Sequence, residues 1–290
     1  MRRRDFIVGG IAAGIARYAH SEVRPNQAKL DRLAVMTLAF SSLLKDPAHP
    51  EDPGRKLDIL DVPQMIADRY GVHHVEFQHS HFASTETPYL KEVRDRLKQA
   101  KSSMNQICME FDTLNISAPT RYLRLETIDL TKQWIDHAVI LGCPRVMINQ
   151  GTLAPEVRET AIATLKTIVD YGKSRKVFVT VENRGDGGPP HQPWEVVVEV
   201  IKASGAYANP DTGNFKDEAS RAAGLRAMYP LSSGSSHAHY APERFDEAAA
   251  IRISKEAGYK GLISIEASKN NGPDPYAAVQ TVVDELVKDV

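Results

Sequence analysis

Four residues of the 290-residue chain are of the types that hold a hard cation, and they recur at a near-constant interval. They are Glu182, Asp211, His237 and Glu266, spaced 29, 26 and 29 residues apart. Each follows a short apolar or small-residue run: VFVTV before Glu182, AYANP before Asp211, SS before His237 and LISI before Glu266. A charged group at the end of an apolar strand is costly unless it is paired or bound to metal. Three carboxylates and an imidazole brought together repel one another without a cation. The donor set is oxygen-rich with one nitrogen, which suits Mn²⁺ first, and also Mg²⁺, Co²⁺ or Zn²⁺, with positions left for substrate oxygens. Each signal alone is weak. A single Glu at a strand end is more often solvated, a single His is more often a satisfied core residue, and Asp211-Thr212-Gly213-Asn214 is a good turn sequence. The common phase carries the assignment.

That phase needs a repeating scaffold. From Leu33 onward, short apolar runs alternate with amphipathic stretches, the pattern of βα units around a parallel sheet. Eight strands are expected, at Ala34–Phe40, His74–Gln78, Asn105–Phe111, Arg145–Asn149, Val177–Glu182, Ala206–Asn209, Ser235–His239 and Leu262–Glu266. Helices are expected between them. One spans Val62–Tyr70, with Pro63 in its first turn and Gly71 as its cap; others span Leu125–Leu141, Pro155–Tyr171 and Ala241–Ala257, each stopped by a glycine. Eight such units, with an interval of about 30 residues each, fit a closed (β/α)₈ TIM barrel, α/β in class, better than an open sheet, although periodicity by itself does not prove closure. The four residues then stand at the mouth, on successive strands. Two loops there are rich in proline, glycine and charge: 45–54 and 185–193.

The formal net charge is −1, from 36 basic and 37 acidic residues. This balance lacks the basic footprint of a nucleic-acid binder, so no nucleic-acid partner is expected. Cys108 and Cys143 sit in apolar runs and read as buried small side chains rather than a disulfide. The chain starts Met1-Arg2-Arg3-Arg4-Asp5-Phe6, followed by a small apolar run to Ala16. A basic segment before a short apolar one is the pattern of an export signal, and Arg-Arg-x-Phe resembles the twin-arginine type. The run is too short to span a membrane, which takes ~20 residues. Residues 1–28 are therefore read as export signal and linker, giving a periplasmic or otherwise exported protein, and cytoplasmic if the signal is silent. Residues 29–290 form the single barrel domain. A homo-oligomer is a possible assembly, and the sequence does not fix the oligomeric state.

The segments VENRG, NPDTGNF, SHAHY and GLISIEAS resemble the xylose isomerase-like barrels, a broad family of sugar phosphate isomerases and epimerases that also includes AP endonucleases of the endonuclease IV type. The stretch LDVPQMIADRYGVHHVEF resembles that family's first helix and second strand. The likeness runs from about Leu33 to the C-terminus. It implies the same fold and puts Glu182, Asp211, His237 and Glu266 in the metal-ligand places. His237 and His239 fall on one side of a strand, so either can supply the nitrogen; the resemblance favours His237, which precedes Ala-x. It also implies that Glu182 and Glu266 act from opposite faces of a carbohydrate substrate. One takes a proton from the carbon beside a carbonyl, the other returns it, and the metal stabilises the enediolate between the two steps. Glu76 matches a substrate-side acid. His79, Asn149, Arg184, His239 and Lys269 flank the same mouth and are expected to meet substrate. Arg184 and His239 depart from the His or Lys often found there, and Pro210 is unusual ahead of the sixth-strand Asp.

The expected function is that of a metal-dependent isomerase or epimerase of a ketose or keto-sugar. A lyase or hydrolase of keto-glycosides would use the same metal and glutamate pair. An AP endonuclease is disfavoured by the charge and by the lack of evident extra histidine ligands. A non-catalytic binding protein is disfavoured by four intact ligand positions. No glycine-rich cradle or Lys/Arg cluster marks a phosphate site.

Overall fold

In a computed structural model, the described residues are 27–46, 50–111, 113–184 and 193–290. Residues 1–26, which carry most of the expected export signal, and 185–192, most of the fifth-strand loop, lie outside them. Eight parallel strands are present: β1 (Leu33–Met36), β2 (His74–Gln78), β3 (Ser103–Met109), β4 (Arg145–Ile148), β5 (Phe178–Glu182), β6 (Tyr207–Asn209), β7 (Ser235–Ala238) and β8 (Leu262–Ile265). They pair in the order β6-β5-β4-β3-β2-β1-β8-β7. Around them lie α1 (Gln27–Leu30), α2 (Val62–Tyr70), α3 (Thr87–Gln99), α4 (Arg121–Leu141), α5 (Pro155–Arg175), α6 (Trp194–Ser204), α7 (Glu218–Met228), α8 (Glu247–Glu256) and α9 (Pro275–Asp289). The (β/α)₈ barrel expected from the alternation is the fold.

The seam between β6 and β7 is the least regular part. It is joined by two isolated parallel bridges, Ala208 with Ser232 and Asp211 with His237. The reason is local. Pro210 has no N–H to give a ladder and ends β6, yet its carbonyl accepts from the His237 N–H at 2.8 Å. Thr212 N–H then donates to the His237 carbonyl at 3.1 Å. Two of the four candidate ligands are thus built into the seam itself.

Core packing follows the sequence pattern. The strands are almost wholly buried, and the longer helices turn an apolar stripe to them; on α9 it is Ala278, Val279, Val282, Val283 and Leu286. Cys108 and Cys143 are both buried and unpaired, as expected. Inside the barrel the side chains are mixed. Met36, Cys108 and Met147 form a small apolar cluster, while Asn105, Gln106, Thr180 and Asn209 bring a polar network to the same interior.

Several expected boundaries move, for identifiable reasons. The first strand ends at Met36 rather than Phe40, because Thr37–Phe40 turns into a 3₁₀ helix. The Thr37 hydroxyl there accepts the Gln78 N–H at 3.0 Å. The helix expected from Ala241 starts at Glu247, where Asp246 caps it by accepting from the Ala249 N–H. The helix expected from Leu125 starts earlier, at Arg121, behind the cap of Thr120. The helix expected to stop at Gly172 runs on to Arg175 and ends at Lys176, which takes the left-handed conformation. Gly172 is not a cap. It is a point of close approach, where an added Cβ would sit 2.7 Å from the Val177 carbonyl oxygen and 2.8 Å from Val179 Cγ2.

Gly172→Ala is therefore expected to overpack the contact between α5 and β5. The cost should be about 1–3 kcal/mol, read as a lower midpoint in urea unfolding. Gly142→Ala is the contrast: Gly142 is left-handed, but nothing lies within 4 Å of an added Cβ. The loss there should be confined to backbone strain of about 1 kcal/mol.

Candidate metal centre

Strand register explains how residues so far apart in sequence come together. Glu182, the last residue of β5, pairs with Asn209. Asp211 lies two residues further along that chain, on the same side, and is bridged to His237. His237 pairs with Ser264, and Glu266 lies two residues beyond Ser264, its N–H donating to the Ala238 carbonyl at 3.0 Å. Two-residue periodicity turns all four side chains to one point at the mouth. One ligand atom from each lies within 4.8 Å of the others. Glu182, Asp211 and His237 are buried, and Glu266 is partly open to solvent.

His237 occupies the centre. Its Nδ1 is 2.7 Å from Glu182 Oε1, 3.7 Å from Glu266 Oε2 and 3.9 Å from Asp211 Oδ2. Its Nε2 is 2.8 Å from Glu76 Oε1. Glu76 is fully buried; its carboxylate lies beneath the imidazole and touches His237. The Glu76 carboxylate also accepts from Asn105 Nδ2 at 3.2 Å and from Gln106 Nε2 at 3.1 Å. A β-bulge makes this possible. Val75 pairs with Met104 but Glu76 pairs with Gln106, so Asn105 is the extra residue and two consecutive side chains reach one carboxylate. A carboxylate on the far nitrogen fixes the ring and leaves the other nitrogen for a metal.

Asp211 is held as firmly. Its Oδ1 accepts from the Gly213 and Asn214 N–H groups at 2.7 and 3.1 Å. Asn183 clamps the same segment, accepting from the Asp211 N–H at 2.8 Å and donating to the Asp211 carbonyl at 3.0 Å. Only Oδ2 then faces the cluster, where His239 Nε2 approaches to 3.0 Å. His239 is also 3.6 Å from Glu266 Oε2, and stands at the rim above His237. Arg184 Nε is 3.3 Å from Glu182 Oε2, and its other end forms an ion pair with Glu110.

The electrostatics test whether these residues fit a cation. Burial raises the Glu182 carboxyl to about 8, against the opposing pull of His237. Burial would also raise Asp211, but His239 and His237 outweigh it and hold Asp211 below the usual carboxylate range. Burial disfavours the charged form of both histidines; Glu76 and Glu182 nonetheless push His237 well above its ordinary value, and Asp211 lifts His239 to about 10. Protons on the two imidazoles thus balance the acids. The donor set fits a divalent cation, which supplies the same compensation in place of those protons.

The remaining expected residues are dispersed. His79 lies just after β2, with its ring edge-on to Phe111 at 4.5 Å and to Trp134 at 5.7 Å. Its Nδ1 accepts the Glu110 N–H at 3.3 Å. Asn149 is half-buried and its Oδ1 accepts from the Gly151 N–H, which shapes the loop after β4. Lys269 is exposed at the start of a 3₁₀ turn beyond β8. Sequence reading did not single out Asn183, Glu110, Asn105 or Gln106. The signal for the last two was present: adjacent amides inside the apolar run SMNQICM.

Residues 66–286 match the family model described as xylose isomerase-like TIM barrel. No curated protein matches the chain. Among solved structures, D-allulose 3-epimerase from Methylomonas sp. has a TM-score of 0.70 at 14% identity, over 90% of this chain and 99% of that one. D-psicose 3-epimerase from Clostridium cellulolyticum H10 has a TM-score of 0.70 at 11% identity, over 89% and 98%. The 3-keto-D-glucoside 4-epimerase from E. coli has a TM-score of 0.66 at 13% identity, over 89% and 99%. At these identities the likeness is one of fold.

Glu76→Gln should weaken Mn²⁺ binding by about 10–100-fold, the usual effect of losing the partner of a ligating histidine, measured by titration calorimetry. Because the His237 proton must leave before its Nδ1 can bind metal, wild-type affinity should rise with pH and binding should release protons. Affinity independent of pH would contradict this ligand assignment.

Proposed function

The chain belongs to the xylose isomerase-like TIM-barrel family, and on that footing we propose that it is a divalent-metal-dependent isomerase or epimerase of a ketose or keto-sugar. The observation that carries the reading is the convergence of Glu182, Asp211, His237 and Glu266 at the barrel mouth. These four would hold the metal, with Mn²⁺ preferred for a set of three carboxylates and one imidazole. When bound, the metal would draw electron density from the substrate's carbonyl and so acidify the neighbouring C–H. The similar solved folds include sugar epimerases, which supports this chemistry over others known on the same barrel.

In this reading Glu182 and Glu266 are the proton-transfer pair. They come from β5 and β8, with the β6–β7 seam between them, so their carboxylates approach a bound sugar from different sides. One takes the proton from the carbon beside the carbonyl, and the other delivers a proton to the opposite face. Arg184, anchored on Glu110, holds Glu182 by its second oxygen and fixes its direction. His239 stands at the rim, where it can donate to a substrate oxygen. Residues 1–28 are read as a twin-arginine-type signal and linker, the signal carrying the folded protein out of the cytoplasm.

The test is solvent exchange. Protein loaded with Mn²⁺ in deuterated water should place deuterium beside the carbonyl of at least one ketose among D-fructose, D-allulose and L-ribulose, read by NMR. Glu182→Gln and Glu266→Gln should each slow that exchange by about 10²–10⁴-fold, the range for loss of a general base or acid. Near-wild-type exchange in either variant would remove the two-glutamate scheme.

A further inference from the structure

We propose that the cleft between the ends of β1, β2 and β3 is a second sugar subsite, so that the substrate is an uncharged glycoside carrying two rings. This rests on the carbohydrate reading above and narrows its substrate class. The cleft has a volume of about 690 Å³, and its lining includes Leu38, Gln78, His79, His81, Glu110 and Phe111. A single six-carbon sugar does not fill such a space, which lies well inside the range of ~300–1,000 Å³ of pockets that take larger ligands.

Shared residues tie the cleft to the candidate metal centre. Gln78 lies two residues beyond Glu76 on β2 and shares its inward side, one layer nearer the mouth. Glu110, on the cleft wall, pairs with Arg184, which in turn pairs with Glu182. A ligand lying over the cluster therefore meets the cleft next.

The polar groups in the cleft suit hydroxyls. Gln78 is 6% exposed, and its Oε1 is buried without a hydrogen-bond partner. A buried acceptor left unsatisfied is unfavourable and rare, and a sugar hydroxyl supplies the missing donor. His81 forms a fixed wall. The Ser41 hydroxyl donates to the Leu38 carbonyl at 2.7 Å and so accepts from His81 Nε2 at 3.1 Å. With the proton on Nε2, Nδ1 of the neutral ring is the acceptor, so the Thr37 hydroxyl, whose oxygen accepts the Gln78 N–H, donates to His81 Nδ1 at 2.8 Å. Burial holds the His81 ring down to about 4, so it is neutral near pH 7. Phe111 supplies an apolar face of the kind on which a sugar ring stacks.

The charge of the cleft argues against a phosphorylated ligand. Among its described lining residues there is no lysine or arginine, and the one carboxylate, Glu110, is already paired with Arg184. A phosphate group there would meet a carboxylate and no unpaired cation.

The experiment is calorimetric titration of the full chain loaded with Mn²⁺. The ligands are D-fructose, D-fructose 6-phosphate and three disaccharides that share a fructose unit: turanose, lactulose and isomaltulose, substituted at O3, O4 and O6. At least one disaccharide should bind about tenfold or more tighter than fructose, the equivalent of about 1.4 kcal/mol. Fructose 6-phosphate should bind no tighter than fructose. Gln78→Leu and Phe111→Ala, each checked for an unchanged circular dichroism spectrum, should both shrink the preference for two rings. Fructose binding as well as every disaccharide, fructose 6-phosphate binding tightest, or no sugar binding at all would each overturn the subsite. Deuterium exchange on a monosaccharide without any two-ring preference would remove the subsite alone. Two-ring preference without proton exchange on any ketose would instead remove the epimerase reading.

Discussion

The structure is organised around a single electrostatic problem, an excess of carboxylates in a place with little water. Glu76, Glu182 and Asp211 are buried at the barrel mouth and Glu266 is largely so. Unpaired, such charges are strongly unfavourable. Every neighbouring feature answers that problem. His237 stands between Glu76 and Glu182, His239 lies against Asp211, Arg184 lies against Glu182, and backbone N–H groups and amide side chains donate to Asp211 and Glu76. A divalent cation would meet the same need more completely, and in a form that a substrate's oxygens can share.

That requirement reaches into the barrel wall. The β2–β3 bulge and the broken β6–β7 seam both depart from a regular ladder, and both serve the same residues. The bulge lets Asn105 and Gln106 satisfy Glu76, which in turn orients His237. The seam is closed by Asp211 and His237 themselves, with Pro210 ending β6 so that the chain can turn Asp211 inward. Among the described strands, the ladder thus departs from regularity where it holds the candidate ligand set.

The sequence carried the eight-unit alternation and the common phase of the four candidate ligands, because strand ends and apolar runs recur with the period of a βα unit; closure of the sheet into a barrel was not written in that period. It also carried the burial of both cysteines and the cap at Gly71. Other features depend on contacts between distant segments and leave little local trace. Gly172 reads as a helix stop in one dimension, yet its absent side chain is needed to let the carbonyl of Val177, just ahead of β5, approach. Thr37 to Phe40 reads as strand, since nothing nearby shows that Thr37 will be captured by Gln78. Glu76 falls at a strand position that also fits a substrate contact, and only the three-dimensional pairing with His237 places it beneath the ring. The link from Glu110 through Arg184 to Glu182 joins two strands' ends and has no signature within either.

The most direct test of the account is metal content. Purified protein, stripped with chelator, loaded with Mn²⁺ and freed of excess ion, should hold about one ion per chain, and Asp211→Asn should hold almost none while keeping the wild-type circular dichroism spectrum. Wild-type protein that retains no Mn²⁺, Mg²⁺, Co²⁺ or Zn²⁺ after loading, or an Asp211→Asn variant that binds as well as wild type, would contradict it.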